Sequence, residues 1–394
     1  MNGEFSIASF NLHNYNYDAQ KDVLGNDVAF KREKLDQIVK IITDGGYDII
    51  ALQEIQTPQT VRSIVSGLNE GRSSGDYDFV HCQDFYEKIS DNRFKSPERE
   101  KRGELAFIWN TKTTALFKGY AAYQRLNERM WLALDYFVQG ASATLAGLLG
   151  MSALVPDEED EEKKKKKHIT RKTIKWGEAT GLAVMGYAGH RYLDAQLKRM
   201  RPPFVAFFNK VNGTKVDPSK QLRLINVHSQ FGKTDADFFV TPAEIRNKEA
   251  EFVLQEAFQI VKSEQIEESD LNLVMALGDF NRSARNLLQI AAKINAMPMR
   301  GDQMKIGIIK DKMNPEGHLT TVNVSNSEEV KEGQMRKYAY SHDYDHFAFD
   351  MDVWRQEDAK RILGLSDERF FVLEGNDRCA ISDHLPIAIK TTNF

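Results

Sequence analysis

Five apolar runs in this 394-residue chain end in the same manner, and that recurrence constrains the fold more than any other feature. FNLHN carries Asn11, LQE carries Glu54, NVHSQ carries His228, GDFN carries Asp279 and Asn281, and SDHLPI carries Asp383 and His384. DYDHFAF adds Asp345. A short apolar run bounded by polar residues reads as a strand buried on both faces. Strands of that kind, spaced by helical patterns, read as layered α/β, and ligand sites of such sheets lie at strand ends. Taken singly, each ending is weak. A histidine after a strand is commonly structural, a glutamate there often caps a helix, and Asp-Phe-Asn-Arg-Ser is ordinary turn composition. Together they place carboxylates, amides and two imidazoles at matching strand ends. In LVMALGDFN, side-chain alternation is expected to send Asp279 and Asn281 to one side.

The rest of the chain supports the layered pattern. Strands are expected at 5–11, 47–55, 77–85, 104–110, 202–210 and 222–231, then in LVMALGDFN, and near 318–324, 344–350, 370–375 and 385–391. Helices are expected between them. In 30–46, Leu35, Ile38, Val39 and Ile42 share a face and Gly45-Gly46 stops the run. In 57–69, Thr57 caps and Pro58 occupies the first turn. Further helices are expected at 241–264 and 284–295. The fold class is therefore α/β, with two packed sheets and helices outside.

Residues 119–200 break the rhythm. Segment 130–155 is apolar with a single charge, Asp135, and is followed by the charge run DEEDEEKKKKK and a second apolar stretch, 176–189. Small residues recur four apart, as at Ala143/Gly147 and Gly177/Gly181, which allows close helix approach. The block reads as an inserted apolar helical hairpin with a charged tip, interrupting a core of 1–118 and 201–394. It suits packing on the core, self-association, or membrane association through 130–189. Asp135, Gln139 and Glu178 are costly at bilayer depth.

Composition bounds the partners. A 41% hydrophobic and 28% charged chain fits a globular protein with a sizeable core. A net charge of −4 means that any nucleic-acid contact must come from a local patch. Two cysteines, Cys82 and Cys379, are no disulfide framework. MNGEFSIASF lacks the pattern of a signal peptide, so a cytoplasmic location, with membrane association through the hairpin as the variant, is the expectation.

The ordered series FN, QE, NVHS, GDFN, YD and SDH resembles the endonuclease/exonuclease/phosphatase superfamily, the fold of deoxyribonuclease I. The resemblance covers roughly 3–118 and 201–394. It implies a four-layer α/β sandwich and metal-dependent hydrolysis of phosphate esters. It implies that Glu54 and Asp383, with the Asn11 amide, lie at a Mg²⁺ or Mn²⁺ ion, for which oxygen ligands are suited. It implies a His384–Asp345 dyad, and Asp279 and Asn281 orienting the nucleophile and a phosphate oxygen. Either Asp279 or His384 serves as base. His-Ser in the third of these motifs, NVHS, is similar to deoxyribonuclease I and to the nuclease subunit of cytolethal distending toxin, which implies proton donation by His228, supported by Glu104 or Glu100. Arg201 matches a phosphate-contacting position. One departure is His346, where the family usually carries Arg.

The leading expectation is an endonuclease acting on DNA, without an organic cofactor. A sphingomyelinase or an inositol or phosphoinositide phosphatase of the same fold is the alternative, favoured by the apolar hairpin. A non-catalytic binding protein on the same scaffold is a third.

Overall fold

The structure, a computed structural model, describes residues 5–17, 28–70, 76–86, 104–117, 203–229, 242–263, 271–296, 305–309, 321–323, 339–351, 360–363, 382 and 384–391. The expected hairpin (119–200), Glu100, Arg201, Cys379, Asp383 and the strand at 370–375 lie outside the described residues.

Two six-stranded sheets form the centre. The first takes β1 (Phe5–Tyr15), β2 (Ile49–Ile55), β3 (Tyr77–His81), β4 (Leu105–Asn110), β13 (Lys360–Leu363) and β14 (Ile387–Thr391), in the order β13-β14-β1-β2-β4-β3. The second takes β5 (Thr114–Leu116), β6 (Phe204–Asn212), β7 (Lys215–His228), β8 (Leu271–Asp279), β9 (Ile306–Ile308) and β12 (Asp345–Asp350), in the order β5-β6-β7-β8-β12-β9. A separate ribbon pairs β10 (Thr321–Asn323) with β11 (Ala339–His342). Each large sheet is mixed. β1 and β2 run parallel, as do β7 and β8, and the other pairings are antiparallel.

Strand alternation separates three cores. Phe5, Ile7 and Ile49 of the first sheet meet Phe204, Leu224 and Met275 of the second between the sheets. Their neighbours Ala8, Phe10 and Ile50 face α1 (Val28–Gly45) and α2 (Pro58–Asn69) through Ile38, Ile42, Val61 and Ile64. On the far side, Ile225, Val227 and Ala276 face α4 (Pro242–Phe252), α5 (Phe258–Ser263) and α6 (Ala284–Asn295) through Ala250, Leu254, Val261 and Leu287. The result is the four-layer α/β sandwich expected from the sequence.

The helix boundaries follow local chemistry. Thr57 accepts a hydrogen bond from Thr60 N (3.1 Å) ahead of Pro58, and Ser283 accepts one from Asn286 N (3.4 Å) ahead of α6. Gly46 takes the left-handed conformation (φ 57°) that closes α1. A π-helical turn, Val253–Ala257, joins α4 to α5 within the expected 241–264 helix. Two of the differences from the expected strands have a clear local cause. β3 stops at His81, because Asp84 accepts its N–H (3.1 Å) and starts the short helix α3 (Gln83–Tyr86). β7 begins at Lys215, seven residues early, because Gly213 (φ 65°) turns β6 into a hairpin.

Candidate active site

The two parallel strand pairs determine where the site lies. A parallel pair needs a crossover, and α1 and α4–α5 supply it here. Asn11 and Glu54 stand toward the C-terminal ends of β1 and β2, and His228 and Asp279 close β7 and β8. His228 pairs directly with Asp279, and Asp279 with Asp345 on its other side. One strand end therefore lines up three chemically active side chains.

The backbone is bent to present them. Among the described residues, the non-glycine residues with positive φ are His13 (51°), Asn14 (53°), Glu54 (57°) and Asn281 (47°), all beside the site. Each costs about 1 kcal/mol or more and must be held by its surroundings. Holding contacts are present. Asn14 N donates to Glu54 Oε2 (2.8 Å), His13 N to Asn11 Oδ1 (2.9 Å) and Asn281 N to Asp279 Oδ1 (2.7 Å). Gly278 is required for a different reason. At φ 135°, a Cβ there would stand 2.0 Å from Val227 O, so only glycine lets β8 approach β7 one residue before Asp279.

Asp279 is the centre of the arrangement. Its Oδ2 accepts from Asn11 Nδ2 (3.1 Å) and faces His384 Nε2 at 3.7 Å and His228 Nε2 at 4.0 Å. The Asn11 amide nitrogen also reaches Glu54 Oε1 (3.1 Å), so it bridges two carboxylates. His228 Nε2 meets the same Glu54 oxygen at 3.1 Å, while its Nδ1 faces Glu104 Oε2 at 3.8 Å. His384 Nδ1 lies 2.8 Å from Asp345 Oδ2, a contact that fixes which ring nitrogen faces Asp279. All of these side chains are buried except Glu54 and Glu104, which are partly exposed.

Environment drives the two central carboxyls apart. Burial pushes Asp279 up to about 6, reinforced by the Asp345 charge and opposed by His384, His228 and the Asn281 N–H. Burial acts on Glu54 in the same direction, but the His228 hydrogen bond and charge, the Asn11 amide and His13 outweigh it and hold Glu54 well below the usual carboxylate range. The same cleft thus holds one carboxyl kept ionised and one raised toward neutrality.

The structure brings Asn11, Glu54, Glu104, His228, Asp279, Asp345 and His384 together. Asn281 differs in detail from the alternation expected of it. Its left-handed backbone forms a turn on Asp279, and its Nδ2 donates to Ser229 O (2.7 Å). The turn and the site at GDFN are one feature. His346, at the departure from the family pattern, is buried with Nε2 2.8 Å from Arg282 O, where it secures that turn.

Sequence reasoning missed three contributions. Ser382 Oγ donates to Asn11 O (2.7 Å) and accepts from His384 N (3.0 Å), tying the His384 segment to β1. Ser229 receives Asn281 and donates its N–H to Asp279 O (2.8 Å). Arg246 and Arg282 act electrostatically on Tyr344, which also feels Asp279. The serines stood inside the quoted motifs and were readable as turn residues. Nothing in the sequence pointed to Arg246.

The donor set fits a divalent cation. Among the described residues, Glu54, His228 and Asp279 bring one ligand atom each to within 4.8 Å of one another. Carboxylate oxygens suit Mg²⁺, and an added imidazole suits Mn²⁺. Burial, and after it the Asp345 charge, raise Asp279, and a cation at these oxygens would favour its ionised form.

No family model and no curated protein matches the chain. Solved structures similar to it include a truncated TDP2 from Caenorhabditis elegans, at 10% identity, covering 98% of this chain and 97% of that one with a TM-score of 0.43. An endonuclease/exonuclease/phosphatase family protein from Bacteroides thetaiotaomicron matches at 11% identity over 98% and 97%, with a TM-score of 0.45. The mannosyl-6-phosphatase of the same organism matches at 11% identity over 98% of each chain, also at 0.45. Likenesses this distant assign no residue a role, and the chemistry rests on the site's own geometry.

No helix among the described residues is long and apolar enough to cross a membrane. Residues 130–189 lie outside them.

Proposed function

We propose that the chain is a metal-dependent phosphodiesterase, and specifically an endonuclease that hydrolyses DNA. The observation that carries the reading is Asp279, fully buried and faced by two imidazoles at 3.7 and 4.0 Å. A carboxylate shifted to about 6 is poised to take a proton near neutral pH. A water beside Asp279 gives up its proton to that carboxylate, or to His384 held by Asp345, as its oxygen bonds to phosphorus. The ester bond to the opposite oxygen breaks, and His228 donates the proton that this leaving oxygen needs. Glu54 and Glu104, one at each ring nitrogen, hold His228 in place. The second hydrogen of Asn281 Nδ2 is left for a phosphate oxygen. Glu54, with Asp383 and the Asn11 amide, would hold Mg²⁺ or Mn²⁺. Such an ion supplies charge neutralisation at the phosphate and at the leaving oxygen. Arg201, ahead of β6, is assigned to a flanking phosphate.

A lipid or inositol phosphate ester is the second reading, favoured by the apolar sequence at 130–155. The test sets supercoiled plasmid against sphingomyelin vesicles and soluble phosphoinositides, each with Mg²⁺. Plasmid nicking that disappears in H228A is the expected result. Lipid turnover lost in H228A, with intact plasmid in the wild type, transfers the assignment to the second reading.

A further inference from the structure

The end of β1 arches out of its ladder, and two lysines hold the arch. Asn11 pairs with Gln53 and Tyr15 with Ile55, and the register shifts between them, so β1 carries more chain than β2 across that interval. A bulge of this kind removes backbone groups from the ladder. α1 supplies Lys31 and Lys34, which share a helix face and are 1% and 3% exposed. Lys31 Nζ donates to Asn16 O (3.3 Å) and Tyr17 O (3.0 Å), and the Tyr15 hydroxyl donates to Lys31 O (3.0 Å). Lys34 Nζ donates to Leu12 O (2.7 Å) and stands 4.9 Å from the centre of the Tyr15 ring. Burying an ammonium is costly, and for Lys31 the satisfaction of arch carbonyls is reason enough.

Lys34 differs in the peptide it holds. Leu12 O and His13 N belong to one planar unit. Lys34 holds the oxygen of that unit, and its N–H, on His13, donates to Asn11 Oδ1 (2.9 Å). With Oδ1 occupied by an N–H, the Asn11 amide is turned so that Nδ2 meets Glu54 Oε1 and Asp279 Oδ2, at 3.1 Å each. Flipped over, the amide would aim its oxygen at two carboxylates and its NH₂ at the His13 N–H, and all three bonds would be lost. The left-handed residues His13 (φ 51°) and Asn14 (φ 53°) follow at once, and Asn14 N reaches the other Glu54 oxygen (2.8 Å). The link from α1 to the centre of the site therefore runs through a single peptide.

We infer that Lys34 is a positioning residue: it fixes the Leu12–His13 peptide and, through it, the orientation of the Asn11 amide between Glu54 and Asp279. Its effect on turnover rests on the phosphodiesterase reading, whereas its effect on the amide does not. Lys31, buried to the same degree on the same arch, has the structural task alone.

The test is a double-mutant cycle of K34M and N11A in the turnover of bis(4-nitrophenyl) phosphate with Mg²⁺, with K31M as the control for loss of a buried ammonium. K34M is expected to lower kcat about 30-fold with KM changed by less than about twofold. K31M should lose comparable thermal stability and keep kcat within about threefold of the wild type. In the N11A background, K34M should lower kcat by less than about threefold further, because the amide it orients is gone. Equal losses from K34M with and without Asn11, or equal kcat losses in K31M and K34M, overturn the assignment. Should K34M fail to fold, K34Q, with a shorter neutral amide in place of the ammonium, carries the same cycle with the same expectations. A second readout needs neither metal nor turnover. It is hydrogen exchange of the Asn11 side-chain amide in ¹⁵N-asparagine-labelled protein in EDTA, assigned by its disappearance in N11A. Exchange should quicken about tenfold or more in K34M and stay near wild type in K31M; unchanged exchange in K34M overturns the assignment. If the wild type turns over no diester, the phosphodiesterase reading fails, and the exchange measurement alone decides the role of Lys34.

Discussion

Two rows of polar side chains lie one or two residues apart along the central strands, and they behave oppositely. The lower row is Ser9, Gln53 and Asn226, all 0% exposed. Gln53 Nε2 crosses from the first sheet to Asn226 Oδ1 (2.8 Å), and Asn226 Nδ2 returns to the carbonyls of Leu52 and Ala106 at 3.0 Å each. Ser9 completes the row through its contacts with Gln53. These groups are neutral, mutually satisfied and on regular backbone. The upper row is Glu54, His228 and Asp279. Its groups are ionisable, its backbone is strained at Glu54, and its carboxyls are shifted in opposite directions. A buried amide network specifies how two sheets meet. A buried ionic row at the same place costs stability, and that cost is understandable where chemistry is performed. The difference separates what holds the sandwich together from what it exists to do.

Four substitutions or conditions would break that division if it is wrong. The largest expected effect is on turnover. H228A should lower kcat/KM for a phosphodiester by about a thousandfold, roughly 4 kcal/mol of transition-state stabilisation, while its thermal midpoint stays near that of the wild type. Next is N226A, which should cost about 3 kcal/mol in urea unfolding, because it strands two buried carbonyls and the Gln53 amide. Its turnover per folded molecule should change only a few-fold. A comparable loss of turnover in N226A would merge the two rows into one functional unit.

The third effect is smaller. D345N leaves His384 without its charged partner and should reduce kcat by about 10- to 100-fold with KM little altered. The fourth is a matter of sign, read from thermal unfolding in EDTA. The raised Asp279 carboxyl stabilises the folded state below about pH 4 and loses that contribution as pH rises through about 6. The lowered Glu54 carboxyl does the reverse, stabilising above its unfolded value near 4.5 and losing that contribution under acid. The wild type should therefore gain stability relative to D279N as pH falls from 6 to 4. A flat difference between the two proteins over that interval contradicts the assigned environment of Asp279.

The contrast also explains what the sequence disclosed. The upper row was legible because strand ends are marked locally: polar residues stand where an apolar run begins or stops, and six such motifs formed an ordered series. Helices α2 and α6 were legible for the same reason, α2 with Thr57 as its cap. The lower row was not legible. Gln53 and Asn226 stand 173 positions apart, and nothing local says that a glutamine inside ALQE faces an asparagine inside INVH. The three-residue strands β5 and β9 were missed, since runs that short have no measurable period. The Gly213 turn was missed because its flanks are polar. Arg246 sits on a helix whose charged face looked like any solvated one. Its charge acts on Arg282 and Tyr344, which are distant in sequence, so that relation is a property of the packing.

The division between the rows is tested most directly by divalent-dependent hydrolysis of bis(4-nitrophenyl) phosphate in wild type, E54Q and N226A at equal folded concentration. Turnover that requires Mg²⁺ or Mn²⁺, is abolished by chelator and by E54Q, and persists in N226A is the predicted result. Turnover indifferent to chelator and to E54Q, or none at all in the wild type with either ion, would contradict the assignment of the upper row to chemistry.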